Sequence, residues 1–281
     1  MILTTGATGT VGREVVAQLL AAGQKVRALT RDPSRARFDG RVEVVKGDLD
    51  QPETIVRAVE GAERLFSLVT GPQGPVQEAA LALAAKKAGV RQIVKLSVLG
   101  VDQGQGNAIA RWHEAGERAV RESGIAWTFV RPGSFMSNAL FWVGTIRSQG
   151  KVFAPYGEGK FSPVHPRDIA AVAVKALTTP GHEGKVYPLT GPQALGMAEQ
   201  VRILADAVGR PIEYVPISDE AACQGMTKAG LTEPLVGALL QVAAYIRSGQ
   251  AGNVLPTVEQ ITFRKALTFA DWAREHAQAF R

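Results

Sequence analysis

The feature that most constrains this chain is the run Gly6-Ala7-Thr8-Gly9-Thr10-Val11-Gly12, set between a short apolar segment at 2–5 and an amphipathic stretch at 11–22. Glycines at this spacing on a strand-to-helix junction serve three ends. Gly6 permits the tight turn, Gly9 lets backbone approach a pyrophosphate, and Gly12 allows the helix to pack closely on the strand. The pyrophosphate would then sit against the backbone of Thr8, Thr10 and Val11, where unpaired N–H groups and the positive end of the helix dipole face it. A bare structural turn is the alternative; a position at the very start of a strand–helix series favours dinucleotide binding.

That series continues to residue 131. Short β-branched runs at 2–5, 25–30, 42–46, 64–69, 92–97 and 127–131 alternate with apolar residues at helical spacing over 11–22, 54–59, 76–88 and 107–123. Gly23, Gly61, Gly89 and Gly124 supply helix stops. Alternating strands and helices imply an α/β fold with a doubly wound parallel sheet of Rossmann type, strand order 3-2-1-4-5-6, joined by right-handed crossovers. Beyond 131 the pattern loosens into Pro- and Gly-punctuated segments, with a strand expected at 185–189 and helices near 168–177, 197–208, 233–247 and 269–279. The expected organisation is a cofactor domain over 1–131 and a smaller mixed α/β substrate lobe over 132–281, interleaved as one compact unit.

An acidic residue about 20 positions past the glycines usually grips the ribose 2′-hydroxyl of NAD. Here the chain reads Thr30-Arg31-Asp32. Arg31 can pair a 2′-phosphate bidentately, with Arg35 or Arg37 as second partner, so NADP(H) is expected over NAD(H). A solvated arginine loop in which Asp32 meets the ribose stays open.

Charge and composition narrow the partners. The net charge of +6 comes from 32 basic and 26 acidic residues, and the basic ones are spread out except for Arg31, Arg35, Arg37 and Arg41. One phosphate explains that crowding better than a nucleic-acid face does, so a small molecule is expected and no nucleic-acid partner. The longest apolar runs, at 79–85 and 236–240, fall far short of the ~20 residues that span a bilayer, so no membrane partner is expected. The opening residues run straight into the glycine turn and leave no room for a leader, which points to the cytoplasm. Cys223 is the sole cysteine and is read as structural; the four histidines lack ligand spacing, so no metal site is expected.

Several segments together resemble the atypical short-chain dehydrogenases of the NmrA-like family, related to triphenylmethane reductase and NADPH quinone oxidoreductases. They are the turn 6–12, Thr30-Arg31-Asp32-Pro33, Gly47-Asp48-Leu49, Lys95-Leu96-Ser97, the run 130–138 beginning Val130-Arg131-Pro132-Gly133, and Pro163-Val164-His165-Pro166-Arg167-Asp168-Ile169-Ala170. The resemblance implies that Asp48 and Leu49 flank the adenine. Asp48 can accept from the adenine amino group, or with Asp50 cap the helix that starts at Pro52. It implies that Val69, Thr70, Gly71 and Pro72 cover the nicotinamide-side ribose, and that Gly133 with Phe135, Met136 and Asn138 borders nicotinamide and substrate. Phe141 and Trp142 extend this apolar cluster, which can equally be lobe core. Tyr156, in a flexible-looking loop Pro155-Tyr156-Gly157-Glu158-Gly159, is a further substrate contact or a plain surface residue. For Asp168, helix capping is expected.

The departure from the family pattern lies on the helix after the fifth strand. Short-chain dehydrogenases carry Tyr-x-x-x-Lys there, and these positions are Ile109 and His113. Ser97 matches the serine of the usual triad and can hydrogen-bond a substrate carbonyl. His113 can bind the cofactor ribose, donate a proton, or be a satisfied structural histidine. The expected activity is NADP(H)-dependent reduction of a small conjugated or aromatic carbonyl or quinone-like substrate, which needs no acid at one atom during hydride arrival. Two rivals stand: a dinucleotide-sensing regulator, and a non-redox cyclase, dehydratase or epimerase on the same scaffold.

Overall fold

In the computed structural model, which describes residues 1–38, 40–103 and 107–281, the chain divides into two compact units. The first comprises Met1–Pro132 and Pro166–Pro188, the second Gly133–His165 and Leu189–Arg281. The first unit is therefore discontinuous, and residues 166–188, beyond the boundary expected at 131, return to it.

The first unit is built on strands β1 (Ile2–Thr4), β2 (Val26–Thr30), β3 (Val42–Lys46), β4 (Arg64–Leu68), β5 (Gln92–Leu96) and β6 (Ala126–Pro132). Its helices are α1 (Thr10–Ala21), α2 (Pro52–Val59), α3 (Gly74–Lys87) and α4 (Ala108–Glu122). Every pairing among β1 to β6 is parallel. The sheet order is β3-β2-β1-β4-β5-β6 as the alternating pattern required, with the later strand β8 (Lys185–Leu189) added beside β6. The glycine stops at 23, 61, 89 and 124 all take positive φ, which ends each helix without a Cβ penalty.

Strand register decides what each sheet face meets. Leu3, Leu65, Ile93 and Trp127 share one rung, and Ser67, Lys95 and Phe129 the next rung of the same face. This face carries the core of Leu3, Ile55, Leu65, Leu81, Ile93 and Phe129, closed by residues of α2, α3 and α4. The opposite face meets α1 and α6 (Pro166–Thr178): Arg64 Nη1 donates to the Leu177 carbonyl at 2.6 Å, and the buried Gln92 amide to that of Ala176 at 3.0 Å. Gln18 on α1 reaches the Arg167 carbonyl at 3.0 Å, tying the two helices together. These bonds explain why 166–188 belongs with the sheet.

The second unit holds α5 (Val143–Gln149), β7 (Lys151–Ala154), α7 (Met197–Val208), β9 (Glu213–Pro216), α8 (Asp219–Lys228), α9 (Glu233–Arg247), α10 (Thr257–Thr262) and α11 (Phe269–His276). Here β7 and β9 pair in parallel as a separate two-stranded sheet. Trp272 is fully buried and stacks on Phe269 and His276 at ring separations of 5.7 and 4.5 Å. Among the described residues no helix is long and apolar enough to cross a membrane.

Candidate dinucleotide site

The carboxyl ends of β1, β2, β3 and β4 open on one cleft of about 720 Å³, within the usual size range of ligand pockets. Its floor is the glycine turn. Gly6 has φ of +60°, and the Gly9 N–H donates to the Gly6 carbonyl at 3.0 Å. A Cβ on Gly12 would lie 2.1 Å from the Gly6 carbonyl oxygen and 2.8 Å from the Ala7 Cα, so only glycine fits there. A Cβ on Gly9 would meet only the Gly6 carbonyl oxygen, at 3.3 Å, a tight contact but far milder than the one at Gly12. The Thr5 hydroxyl accepts from the Leu68 N–H at 2.8 Å, fixing the end of β1 against the end of β4.

Gly9 caps α1 without any side-chain acceptor, and the first turn of that helix carries no acidic residue. Its first N–H groups, those of Thr10, Val11 and Gly12 among them, have no partner within the helix. Val11 contributes only backbone, because its side chain is buried in the core. An anion is the natural occupant of such a cradle.

Arginines supply the complementary charge. Arg31 and Arg35 line the cleft, whereas Arg37 and Arg41 do not. Arg13, which the sequence reading passed over, joins them, its Nε held by the Thr8 carbonyl at 2.8 Å. The signal available for it was its place directly after Gly12. Asp32 is engaged locally: its carboxylate accepts from the Ser34 N–H at 3.0 Å and hydroxyl at 2.6 Å, and caps the turn Pro33–Arg35. The Ser34 hydroxyl, aided by the nearby Arg35 charge, holds that carboxyl below its usual range. Asp32 is thus less suited than Arg31 to meeting a ribose.

Across the cleft, Asp48, Leu49 and Asp50 line the wall after β3. The expectation that Asp48 and Asp50 cap the next helix needs correction. The N-cap of α2 is Gln51 and has no side-chain bond, while Asp48 accepts from the Asp50 N–H at 3.1 Å and Asp50 from Gln77 at 2.7 Å. The Asp48 carboxylate keeps a free oxygen lone pair for a ligand donor. A Cβ on Gly47 would sit 2.5 Å from Leu29 Cδ1, so the end of that leucine would have to shift to admit one.

Val69 and Thr70 also border a narrow crevice, too tight to hold a water molecule, with Gly71, Gly74, Lys95, Trp112 and His113. His113 is buried, and burial followed by the charge of Lys95 pushes its imidazole down to about 3. Both effects disfavour the charged imidazole and speak against a role for His113 as proton donor. Pro72 is exposed and borders neither cavity.

Ser97 is also placed differently from expectation. It is buried, and its hydroxyl donates to Glu117 at 2.6 Å. Glu117 is itself fully buried and accepts from Arg131 Nε at 2.7 Å and Nη2 at 2.6 Å. Arg131 also grips Asp102, and although burial opposes its charge, Glu117 and Asp102 raise its pKa above the ordinary value. The hydroxyl hydrogen expected for a substrate carbonyl is thus committed to a structural network.

The residues expected at the substrate lie in the second unit, where the aromatic cluster separates. Met136 and Trp142 pack into the core of that unit, whereas Phe141 is 86% exposed. Phe135 is half-buried beside Val164, Asn138 is exposed, and the Gly133 N–H donates to the Leu189 carbonyl at 2.9 Å. Tyr156 is half-buried and meets Phe161 edge-on at 5.6 Å; desolvation raises its phenol pKa. The loop that carries Tyr156 is packed, because a Cβ on Gly159 would fall 2.3 Å from the Ile246 carbonyl oxygen. Asp168 sits in the first turn of α6.

A family of proteins described as NAD(P)H-binding matches residues 6–180. The chain is 45% identical to an NAD(P)H azoreductase of Xenophilus azovorans, over 100% of this chain and 99% of that one. It is equally 45% identical to the (4-alkanoyl-5-oxo-2,5-dihydrofuran-3-yl)methyl phosphate reductase of Streptomyces griseus subsp. griseus, with the same coverage. Its fold matches an NADPH-dependent quinone oxidoreductase of Escherichia coli solved with NADPH, at a TM-score of 0.85 and 26% identity over 98% and 99% of the two chains. With the glycine cradle and arginine-lined cleft inside the matched segment, the chain belongs to the NAD(P)H-binding family and is an oxidoreductase.

Proposed function

We propose that the protein is an NADPH-dependent reductase of small conjugated acceptors, such as azo compounds, quinones and conjugated carbonyls. The observation that carries this reading is the grouping of Arg13, Arg31 and Arg35 around a cleft that also holds the open N-terminus of α1. Guanidinium groups bind phosphate bidentately, so a 2′-phosphate gives NADPH its advantage over NADH. Bound in this cleft, NADPH supplies the hydride. The backbone of 8–12 holds the pyrophosphate, Asp48 and Leu49 flank the adenine, and Val69 and Thr70 border the nicotinamide-side ribose.

The acceptor class follows from what the site lacks. Ile109 has no proton to give, the Ser97 hydrogen is committed to Glu117, and burial disfavours the charged form of His113. Acceptors whose reduced form tolerates solvent as proton source suit these residues better than unactivated ketones. Relatives named for azo, oxo-dihydrofuran and quinone substrates support the same class.

The test is NADPH oxidation, followed by absorbance, with an azo dye, a quinone, an enone and a saturated ketone. The conjugated acceptors are expected to consume NADPH faster than NADH, and the saturated ketone to be inert. Tight NADPH binding without oxidation by any of them would refute the reductase reading in favour of a sensor or a non-redox enzyme.

A further inference from the structure

One wall of the dinucleotide cleft is held by a bond that stability explains poorly. Gln77 on α3 and Asp50 in the loop between β3 and α2 both line the cleft, and the Gln77 amide donates to Asp50 Oδ1 at 2.7 Å. Asp50 is exposed and Gln77 half-buried. A bond between two such side chains stabilises a fold only slightly, because water competes for both groups and both lose rotamer freedom.

Its effect on the amide is specific. A carboxylate only accepts hydrogen bonds, so Gln77 must turn its NH2 toward Asp50 and cannot exchange its nitrogen and oxygen without losing the bond. That leaves the amide with one N–H and with Oε1, which no donor among the described residues reaches. The loop that carries Asp50 is itself fixed. The Asp48 N–H donates to the Thr54 hydroxyl at 2.9 Å, and the Asp48 carboxylate accepts from the Asp50 N–H at 3.1 Å. Asp48, Asp50 and Gln77 thus form one chain of bonds along the wall, with two acceptors to spare: the second carboxylate oxygen of Asp48 and the amide oxygen of Gln77. Leu29, Leu49 and Leu68 line the same cleft and supply apolar surface suited to the faces of a flat ring.

We propose that Gln77 is a specificity-determining residue for the base of the cofactor, with Asp50 as its positioning residue: Gln77 and Asp48 together accept the two hydrogens of a purine 6-amino group and reject a 6-oxo purine. The inference rests on the NADPH reading above. An exocyclic amino group carries one hydrogen for each acceptor, whereas a 6-oxo group presents lone pairs to both. The remaining Gln77 N–H can donate to a ring nitrogen, which completes the bidentate pairing that amides make with adenine.

The test is equilibrium binding of NADPH, NADH and the 6-oxo analogue of NADPH, in which hypoxanthine replaces adenine, to the full chain, read by nicotinamide fluorescence. The wild type is expected to bind NADPH roughly 5- to 150-fold more tightly than the analogue. Gln77→Met keeps the length of the side chain and loses the amide. Most of that ratio is then expected to vanish, while the preference for NADPH over NADH, which belongs to the arginines, is kept. In Asp50→Ala the amide is released and can turn its NH2 toward a 6-oxo group. The analogue is expected to bind this variant more tightly than it binds the wild type, a gain that loss of a merely structural contact would not produce.

Equal wild-type affinity for NADPH and the analogue overturns the proposal without any variant having to fold. A folded Gln77→Met that keeps the wild-type ratio overturns the role given to Gln77. An Asp50→Ala in which both affinities fall in parallel overturns the role given to Asp50. A wild type that binds neither NADPH nor NADH refutes the cofactor reading itself, whereas one that binds NADPH and the analogue alike refutes only the recognition of the base.

Discussion

Acid should destabilise this protein through His113 by an amount that can be worked out in advance. The folded chain holds the imidazole at about 3, against 6.5 for the ordinary group, because the ring is buried and faces the Lys95 cation. Between those values the unfolded chain binds a proton that the folded chain refuses, so stability falls as pH falls. The contribution is fully present above about pH 6.5 and is lost progressively toward pH 3. Each unit within that window is worth about 1.4 kcal/mol. Lowering the pH from about 7 to about 5 should therefore cost about 2 kcal/mol through this residue alone. His113→Gln cannot take up the proton, so it should lose about 2 kcal/mol less than the wild type over the same interval, whatever the carboxylates contribute to both. Urea unfolding followed by circular dichroism at pH 7, 6 and 5 measures each slope. Equal losses in the two proteins would refute the buried neutral histidine.

Three further outcomes follow from particular contacts. Arg31→Ala should weaken NADPH binding roughly 10- to 150-fold while leaving NADH binding nearly unchanged, as read by cofactor fluorescence. Gly9→Val and Gly12→Ala should differ in kind. The first stays folded in thermal melts, with a smaller drop in midpoint than the second, yet loses NADPH, because its side chain crowds the backbone cradle that receives the pyrophosphate. The second loses roughly 1–3 kcal/mol of stability, because its Cβ has only backbone to displace. Arg131→Met should cost roughly 3–5 kcal/mol in urea titrations by leaving the buried Glu117 carboxylate with only the partly exposed Arg121 as cationic partner, and adding Glu117→Gln should restore part of that loss.

Sequence periodicity located the first unit well because its central strands β1, β4 and β5 are buried on both faces and α1 to α4 each have a glycine stop. Expected and observed bounds agree within two residues at nearly every element, and β3 agrees at both ends. The short sheet of β7 and β9 had no such signal: four residues are too few to establish alternation, and neither Lys151-Val152-Phe153-Ala154 nor Glu213-Tyr214-Val215-Pro216 is strongly apolar. The cofactor cradle was legible because its chemistry is local, running from Gly6 to Gly12. What lay hidden were interactions between distant residues. Lys95 within Gln92-Ile93-Val94-Lys95-Leu96 is a lone charge in a strand whose every residue is buried, which hints at a partner; only the fold shows that the partner is Glu78. Ser97 misled for the same reason, since its bond to Glu117 joins two elements that no sequence pattern brings together.

The discontinuity of the first unit has a consequence for how the chain is made. A ribosome that has released residues 1–132 has produced six strands of the sheet, but α6, which meets the Arg64 and Gln92 side chains, and the strand that lies beside β6 do not yet exist. Residues 133–165, which belong to the second unit, must emerge first. Until Pro188 has cleared the exit tunnel, the nascent sheet keeps an open edge on β6 and an uncovered apolar face, the kind of surface that pairs with other chains. Closure of that edge is a late event in synthesis, so translation pauses before Pro188 would lengthen the interval in which the chain needs protection.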